Sequence, residues 1–180
     1  SLSATVAVTV QQVATQLAIA SGDGQSAAVG QALPEAPVVR AEDAGGATVA
    51  GVDLAFEVSS GGGSVGSATV VTDADGLAST SWTLGTTAGL QQIRVSIAGA
   101  PFAPIELSAT GIAAAASALA KASGDLQVGP LSLALSAPIV VQLQDEFGNG
   151  VADGEVTFLV TGGGGSVSPA VATTGDDGTA

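Results

Sequence analysis

One internal match constrains this chain more than any other feature: residues 21–78 recur, without a gap, as residues 123–180. "SGDGQ" at Ser21 returns as "SGDLQ" at Ser123, and "VVRAED" at Val38 as "VVQLQD" at Val140. "FEVSSGGGSV" at Phe56 returns as "FLVTGGGGSV" at Phe158, and "TDADGLA" at Thr72 as "TGDDGTA" at Thr174, every pair 102 residues apart. A constant offset over four motifs marks a tandem array. Helical and leucine-rich solenoid repeats run about 20 to 50 residues and lean on their neighbours, whereas a unit of about 100 residues can hold its own core. The reading divides the chain into residues 13–111 and 112–180, preceded at residues 1–12 by the closing strand of another repeat, since "LSAT" at Leu2 matches "LSAT" at Leu107. The second copy stops before any counterpart of "STSWTLG", "QIRVSIAG" or "IELSAT". Either the polypeptide is expected to continue past Ala180, or a neighbouring chain supplies the missing strands.

Within each copy the apolar residues alternate. Val52, Leu54, Phe56 and Val58 interleave with Asp53, Ala55 and Glu57, and Val156, Phe158 and Val160 with Glu155, Thr157 and Leu159. Trp82 and Leu84, then Ile93, Val95 and Ile97, follow the same rule, as do Val39 and Ala41 with their counterparts Val141 and Leu143. Period two means strands with one face buried. Short strands separated by Gly, Asp and Pro turns predict an all-β fold, antiparallel β-sandwiches in tandem. "GIAAAASALAKAS" from Gly111 is the one segment with local helix preference. Its length is marginal for a helix and it aligns with "QQVATQLAIAS", so it is expected to run extended as the linker into the second copy.

Composition closes off most chemistry. With 16 acidic against 3 basic side chains, the net charge of −13 repels nucleic acid and anionic lipid. There is no His and no Cys, which removes the usual activated nucleophiles and zinc ligands. An enzyme would have to work with carboxylates alone, and nothing marks the cleft in which a catalytic pair would stand. No apolar run approaches the roughly 20 residues of a membrane span. The N-terminal "SLSATVAVTVQQ" lacks a basic leader region, so an export signal is expected outside the chain.

Several of these motifs in fixed order, "PVVRAEDAGGATVAGVDLAFEVSSGGGSV" and then "TDADGLASTSWTLGTTAGLQQIRVSIAG", resemble the bacterial Ig-like repeat of the invasin and intimin type. The chain departs from that pattern at "DAGGATV", where members often carry a longer polar turn with Asn. The resemblance implies Ig-like sandwiches arrayed on bacterial surface or secreted proteins, chiefly as stalks or spacers. The implied partners are neighbouring Ig-like repeats, in the same chain or in adjacent subunits, and the implied location is extracellular.

Four stretches invite a binding reading. "SSGGGSV" joins two strands without a nearby cation, which favours a loop of left-handed glycines over a phosphate cradle. "TDADGLA" reads as a turn in which Asp73 or Asp75 bonds its own backbone and Gly76 turns left-handed. "QDEFGNGVADGE" gathers Asp145, Glu146, Asn149, Asp153 and Glu155, oxygen ligands of the kind calcium takes, against the plainer reading of an exposed hairpin loop. Phe102 in "AGAPFAPIE" is the one candidate for an exposed binding aromatic, or else a plug at a domain junction. Trp82 belongs in the core rather than on a sugar platform. The favoured function is a structural spacer without catalysis or cofactor; the competing one is an adhesive module that recognises a glycan or protein through its loops, with or without calcium.

Overall fold

The computed structural model describes residues 12–180, so the strand expected at residues 1–12 lies, apart from Gln12, outside the described residues. Strands and turns make up everything described. Ten strands fall in residues 16–112: β1 (Gln16–Ser21), β2 (Gln25–Ala28), β3 (Val38–Glu42), β4 (Asp53–Ser60), β5 (Gly63–Val65), β6 (Thr69–Val71), β7 (Leu77–Ser79), β8 (Trp82–Leu84), β9 (Gly89–Ile97) and β10 (Ile105–Ile112). They form a sheet of order β1-β3-β7, a second of order β2-β10-β9-β4-β6, and the pair β5-β8.

Alternation decides which side chains fill the space between the sheets. Val39 and Ala41 from β3, Ala78 from β7, Leu54 and Phe56 from β4, Ile93 and Val95 from β9, and Leu107 and Ala109 from β10 make one buried cluster. Trp82 and Leu84 of β8 belong to it, with Ala14, Leu33 and Val49 from outside the strands. Fully burying each aliphatic side chain contributes about 1.5–3 kcal/mol, so this core draws mainly on Val, Leu, Ile and Ala, with Phe56 and Trp82 as its aromatics.

The repeated "SGDGQ" motif is where the chain changes sheets. β1 pairs antiparallel with β3, yet β2 pairs with β10, and that pair is parallel. An all-antiparallel sandwich was the expectation from the sequence; the parallel pair arises because the strand crosses to the other sheet without reversing direction. Gly22 takes φ +81° at the crossing, where a Cβ would stand 2.7 Å from Ala36 O. Asp23 Oδ1 accepts the Ser108 N–H at 2.7 Å, and Gln25 Nε2 donates to Gly22 O at 2.7 Å and Glu35 O at 2.9 Å. In the second copy Gln127 repeats the bonds, to Gly124 O at 2.7 Å and Ala137 O at 2.9 Å.

The Ala-rich stretch is extended: β10 runs to Ile112 and β11 (Ala118–Ser123) begins the second copy. β11 pairs with β12 (Val140–Gln144), with a register slip between Lys121 and Ser123 that matches the slip between Ile19 and Ser21. β13 (Glu155–Thr157) pairs with β14 (Val171–Thr173) as β4 does with β6. The strand read over residues 156–160 is shorter than expected. β4 is flanked by β6 and β9, whereas β13 has β14 alone as a ladder partner among the described residues. Leu133, Leu135, Ile139 and Phe158 line an apolar recess of about 890 Å³ on that side.

Candidate functional site

Asp145 anchors the place where the two copies meet. It opens the turn after β12, and its Oδ1 accepts the N–H groups of Phe147 at 2.9 Å and Asn149 at 2.8 Å. An Asp that bonds the backbone two and four residues on makes a local turn, and Gly148 supplies the left-handed φ of +87° that closes it. Asp145 Oδ2 looks the other way, accepting the linker N–H of Ala114 at 2.9 Å and the side-chain N–H of Asn149 at 2.8 Å. The carboxylate is buried. Burial pushes its pKa up, and the hydrogen bonds from Asn149, Ala114 and Phe147 outweigh this, so the carboxyl is held below its ordinary value.

Asn149 then crosses to the first copy. Its Oδ1 accepts the Ala88 N–H at 2.9 Å and its Nδ2 donates to Thr86 O at 2.9 Å. This is the donor–acceptor pair a neighbouring strand would offer, delivered by one side chain. Beside it the Phe147 ring lies over Gly30, where a Cβ would stand 3.6 Å from Cζ. Gly30 has φ +74°, a conformation that costs residues other than glycine.

The receiving turn is fixed from inside the first sandwich. Gln91 is fully buried. Its Oε1 accepts the Gly85 N–H at 2.7 Å and its Nε2 donates to Thr87 O at 2.9 Å. Gly30 N–H donates to Gly85 O at 3.0 Å, tying both halves of the receiving surface together.

Of the residues read as calcium ligands, Asp145 and Asn149 are brought together, with their oxygens engaged by N–H donors. Glu146 is exposed, Asp153 sits in the next turn at φ +57°, and Glu155 lies on β13. Among the described residues no three acidic side chains converge on one point. The other motifs resolve as turns. Asp73 Oδ1 accepts the N–H groups of Asp75 and Leu77, each at 2.9 Å, with Gly76 at φ +73°. Gly61, Gly62 and Gly63 all have positive φ and pack against the Thr83–Gly85 backbone and the Gln91 side chain, so their bare Cα atoms admit protein rather than a phosphate. Trp82 is buried. Phe102 is partly exposed over a small recess it shares with Val13, Val49, Val52 and Ile97, a lining that includes none of Gly30, Thr86 and Ala88.

Sequence reading missed Gly30, Thr86, Ala88, Gln91 and the role of Phe147. The signal was available in one comparison: Phe147 and Asn149 are where the second copy's turn departs from Gly45 and Ala47 of the first.

No family model matches the chain, and no curated protein matches it. Among solved structures it is similar to FdeC, an Escherichia coli adhesin, with a TM-score of 0.50 and 20% identity over 78% of this chain and 45% of that one. The chain thus spans less than half of that structure. Similarity extends to the D0-D1 domain of intimin (TM-score 0.43, 18% identity, 93% of this chain and 82% of that one). It extends also to the adhesin InvE of Yersinia pseudotuberculosis (TM-score 0.45, 17% identity, 92% and 49%). The likeness to FdeC is one of fold, and with the sheets described above the fold is that of tandem Ig-like β-sandwiches.

Proposed function

We propose that this chain is a spacer segment of a bacterial cell-surface or secreted repeat protein, built of Ig-like units at residues 13–111 and 112–180 that stand end to end and hold other parts of the molecule, or of a filament, apart. The observation that carries the reading is the Asn149 bridge to Thr86 and Ala88. Side chains of one copy are committed to the backbone of the other, as a load-transmitting joint requires and a free ligand site does not. Relative motion is the ordinary condition of domains joined by small interfaces, and directional bonds oppose it. No residue is assigned a catalytic role. FdeC, an adhesin, is a surface protein of the kind in which such a segment would serve.

The adhesive alternative has one observation in its favour, the partly exposed Phe102 beside its apolar recess. Immobilised glycans and extracellular-matrix proteins, probed with the full chain in calcium and in chelator, separate the two readings. The spacer reading expects no saturable binding in either condition. Saturable binding that is lost in Phe102→Ala would overturn it and install the adhesive one.

A further inference from the structure

The two copies build the same turn and equip it differently. In the first, Asp43 Oδ1 accepts the N–H groups of Gly45 at 2.8 Å and Ala47 at 2.9 Å, with Gly46 at φ +82°. In the second, Asp145 does the same for Phe147 and Asn149, with Gly148 at φ +87°. Glu42 bridges to Thr48 in one and Gln144 to Gly150 in the other. The backbone scaffold is therefore common to both, and of the positions at which the turns differ, Phe147 and Asn149 carry the groups that reach across the joint. On the receiving side the contacts are the Thr86 carbonyl, the Ala88 N–H and the space over Gly30, where a Cβ would stand 3.6 Å from the Phe147 ring. None of these reads the identity of the incoming unit beyond those two positions.

We propose that Phe147 and Asn149 are a docking key, and that Gly30 with the Gly85–Ala88 turn is an acceptor for any repeat whose Asp-anchored turn carries Phe and Asn at these positions. The partner class is thus a second Ig-like repeat with an Asp-x-Phe-Gly-Asn turn. A repeat with the first copy's Asp-Ala-Gly-Gly-Ala turn presents neither a ring for Gly30 nor an amide for Thr86 and Ala88, and is not gripped. Which unit follows which rigidly is then encoded in two residues. This rests on the copies being end-to-end units, as in the spacer reading, and is indifferent to whether the array also binds a ligand.

The chain has no cysteine, so two introduced ones carry spin labels uniquely. Glu57→Cys and Thr157→Cys place labels on exposed strand positions of the two copies. Electron–electron distance measurement on the full chain is expected to give one narrow distribution. Phe147→Gly with Asn149→Ala installs the first copy's residues, and is expected to broaden the distribution about twofold or more, since little then opposes relative domain motion. Trp82 emission and the unfolding of the first copy should not change. Ala88→Pro deletes the bonded N–H from the acceptor side without touching the second copy, and should broaden the distribution likewise. A broad distribution in the unaltered chain, or a narrow one in either folded variant, would overturn the docking key. Glycan or protein binding by the chain would overturn the spacer reading and leave this result standing.

Discussion

Asn149 Nδ2 donates to Asp145 Oδ2 at 2.8 Å, while Asn149 Oδ1 and the same amide nitrogen reach Ala88 and Thr86 of the other copy. One amide thus closes the second copy's turn and bonds the first copy's edge. Asn149→Ala should expose the Ala88 N–H. A hydrogen bond contributes about 0.5–1.5 kcal/mol net, so exchange of that single proton should accelerate roughly three- to tenfold. Asn149→Asp should be worse, because it removes the donor and sets a second carboxylate against Asp145. Proton-resolved hydrogen exchange reads both; an Ala88 rate equal to that of the unaltered chain would mean that the bridge does not hold in solution.

Acid should loosen this joint in a defined direction. The Asp145 carboxyl is raised by burial and lowered further by its hydrogen bonds, so its folded pKa lies below the ordinary value of about 3.9. As pH falls the unfolded chain takes up this proton first. The stabilisation is therefore complete above about pH 4 and is lost as pH falls through the folded pKa. Asp145→Asn should flatten that limb of the stability–pH curve and lower the plateau above it. Urea midpoints measured across the acid range test this, and an unchanged acid slope in Asp145→Asn would remove Asp145 as a linked group.

Gln91 should govern the joint from a distance. Replacing it with Leu strands the Gly85 N–H and the Thr87 carbonyl, each now bonded by the side chain. Leaving a buried polar group unsatisfied costs about 1–3 kcal/mol. Gln91→Leu should thus lower the stability of the first copy and also speed exchange at Ala88, although Gln91 does not itself bond Asn149. Loss of stability with Ala88 protection intact would confine Gln91 to the core.

The core was legible because alternation is local and the buried rows are mostly apolar: Leu54, Phe56, Ile93 and Val95 are buried as read, whereas Gln91, in the same row of β9, was not legible. The parallel β2–β10 pair was not, because it depends on where the chain crosses between sheets at Gly22, and a glycine in a turn motif does not say which sheet comes next. Thr72 and Thr174 show the same limit. Each is buried and bonds the backbone on both sides, Thr72 Oγ1 donating to Val49 O at 2.9 Å and Thr174 Oγ1 to Val151 O at 2.7 Å. Their recurrence at the repeat spacing was visible, but a hydroxyl in a turn motif does not announce a buried partner. Asp145 and Asn149 were singled out for their oxygens, whereas the structure uses those oxygens as acceptors for N–H groups.

Trp82 is 1% exposed, and its Nε1 is the one buried side-chain polar atom without a hydrogen-bond partner among the described residues. Trp82→Ala should cost about 3–5 kcal/mol, as large core truncations do. Trp82→Phe should cost less, since it keeps a ring and removes an unsatisfied donor. As the sole tryptophan it reports on its own burial by blue-shifted emission in the unaltered chain. Emission at the wavelength of free indole, or a Trp82→Ala variant with unchanged stability, would contradict the core position.

Calcium should leave stability where it is. An ion at a hundred times its dissociation constant would add about 2.7 kcal/mol. At about 4–8 °C per kcal/mol for a unit of 60–100 residues, such binding would raise Tm on the order of 10 °C. Both Asp145 oxygens accept N–H donors, Asn149 Oδ1 is taken by Ala88, and Glu146, Asp153 and Glu155 stand apart on exposed positions. To bind there an ion would have to break the turn and the bridge that the joint depends on. Calorimetry of the full chain in millimolar calcium and in chelator is expected to give superimposable transitions. A chelator-induced fall of several degrees, abolished by Asp153→Asn with Glu155→Gln, would return the Asp145–Glu155 loop to the calcium reading and make the ion, rather than Asn149, what sets the joint.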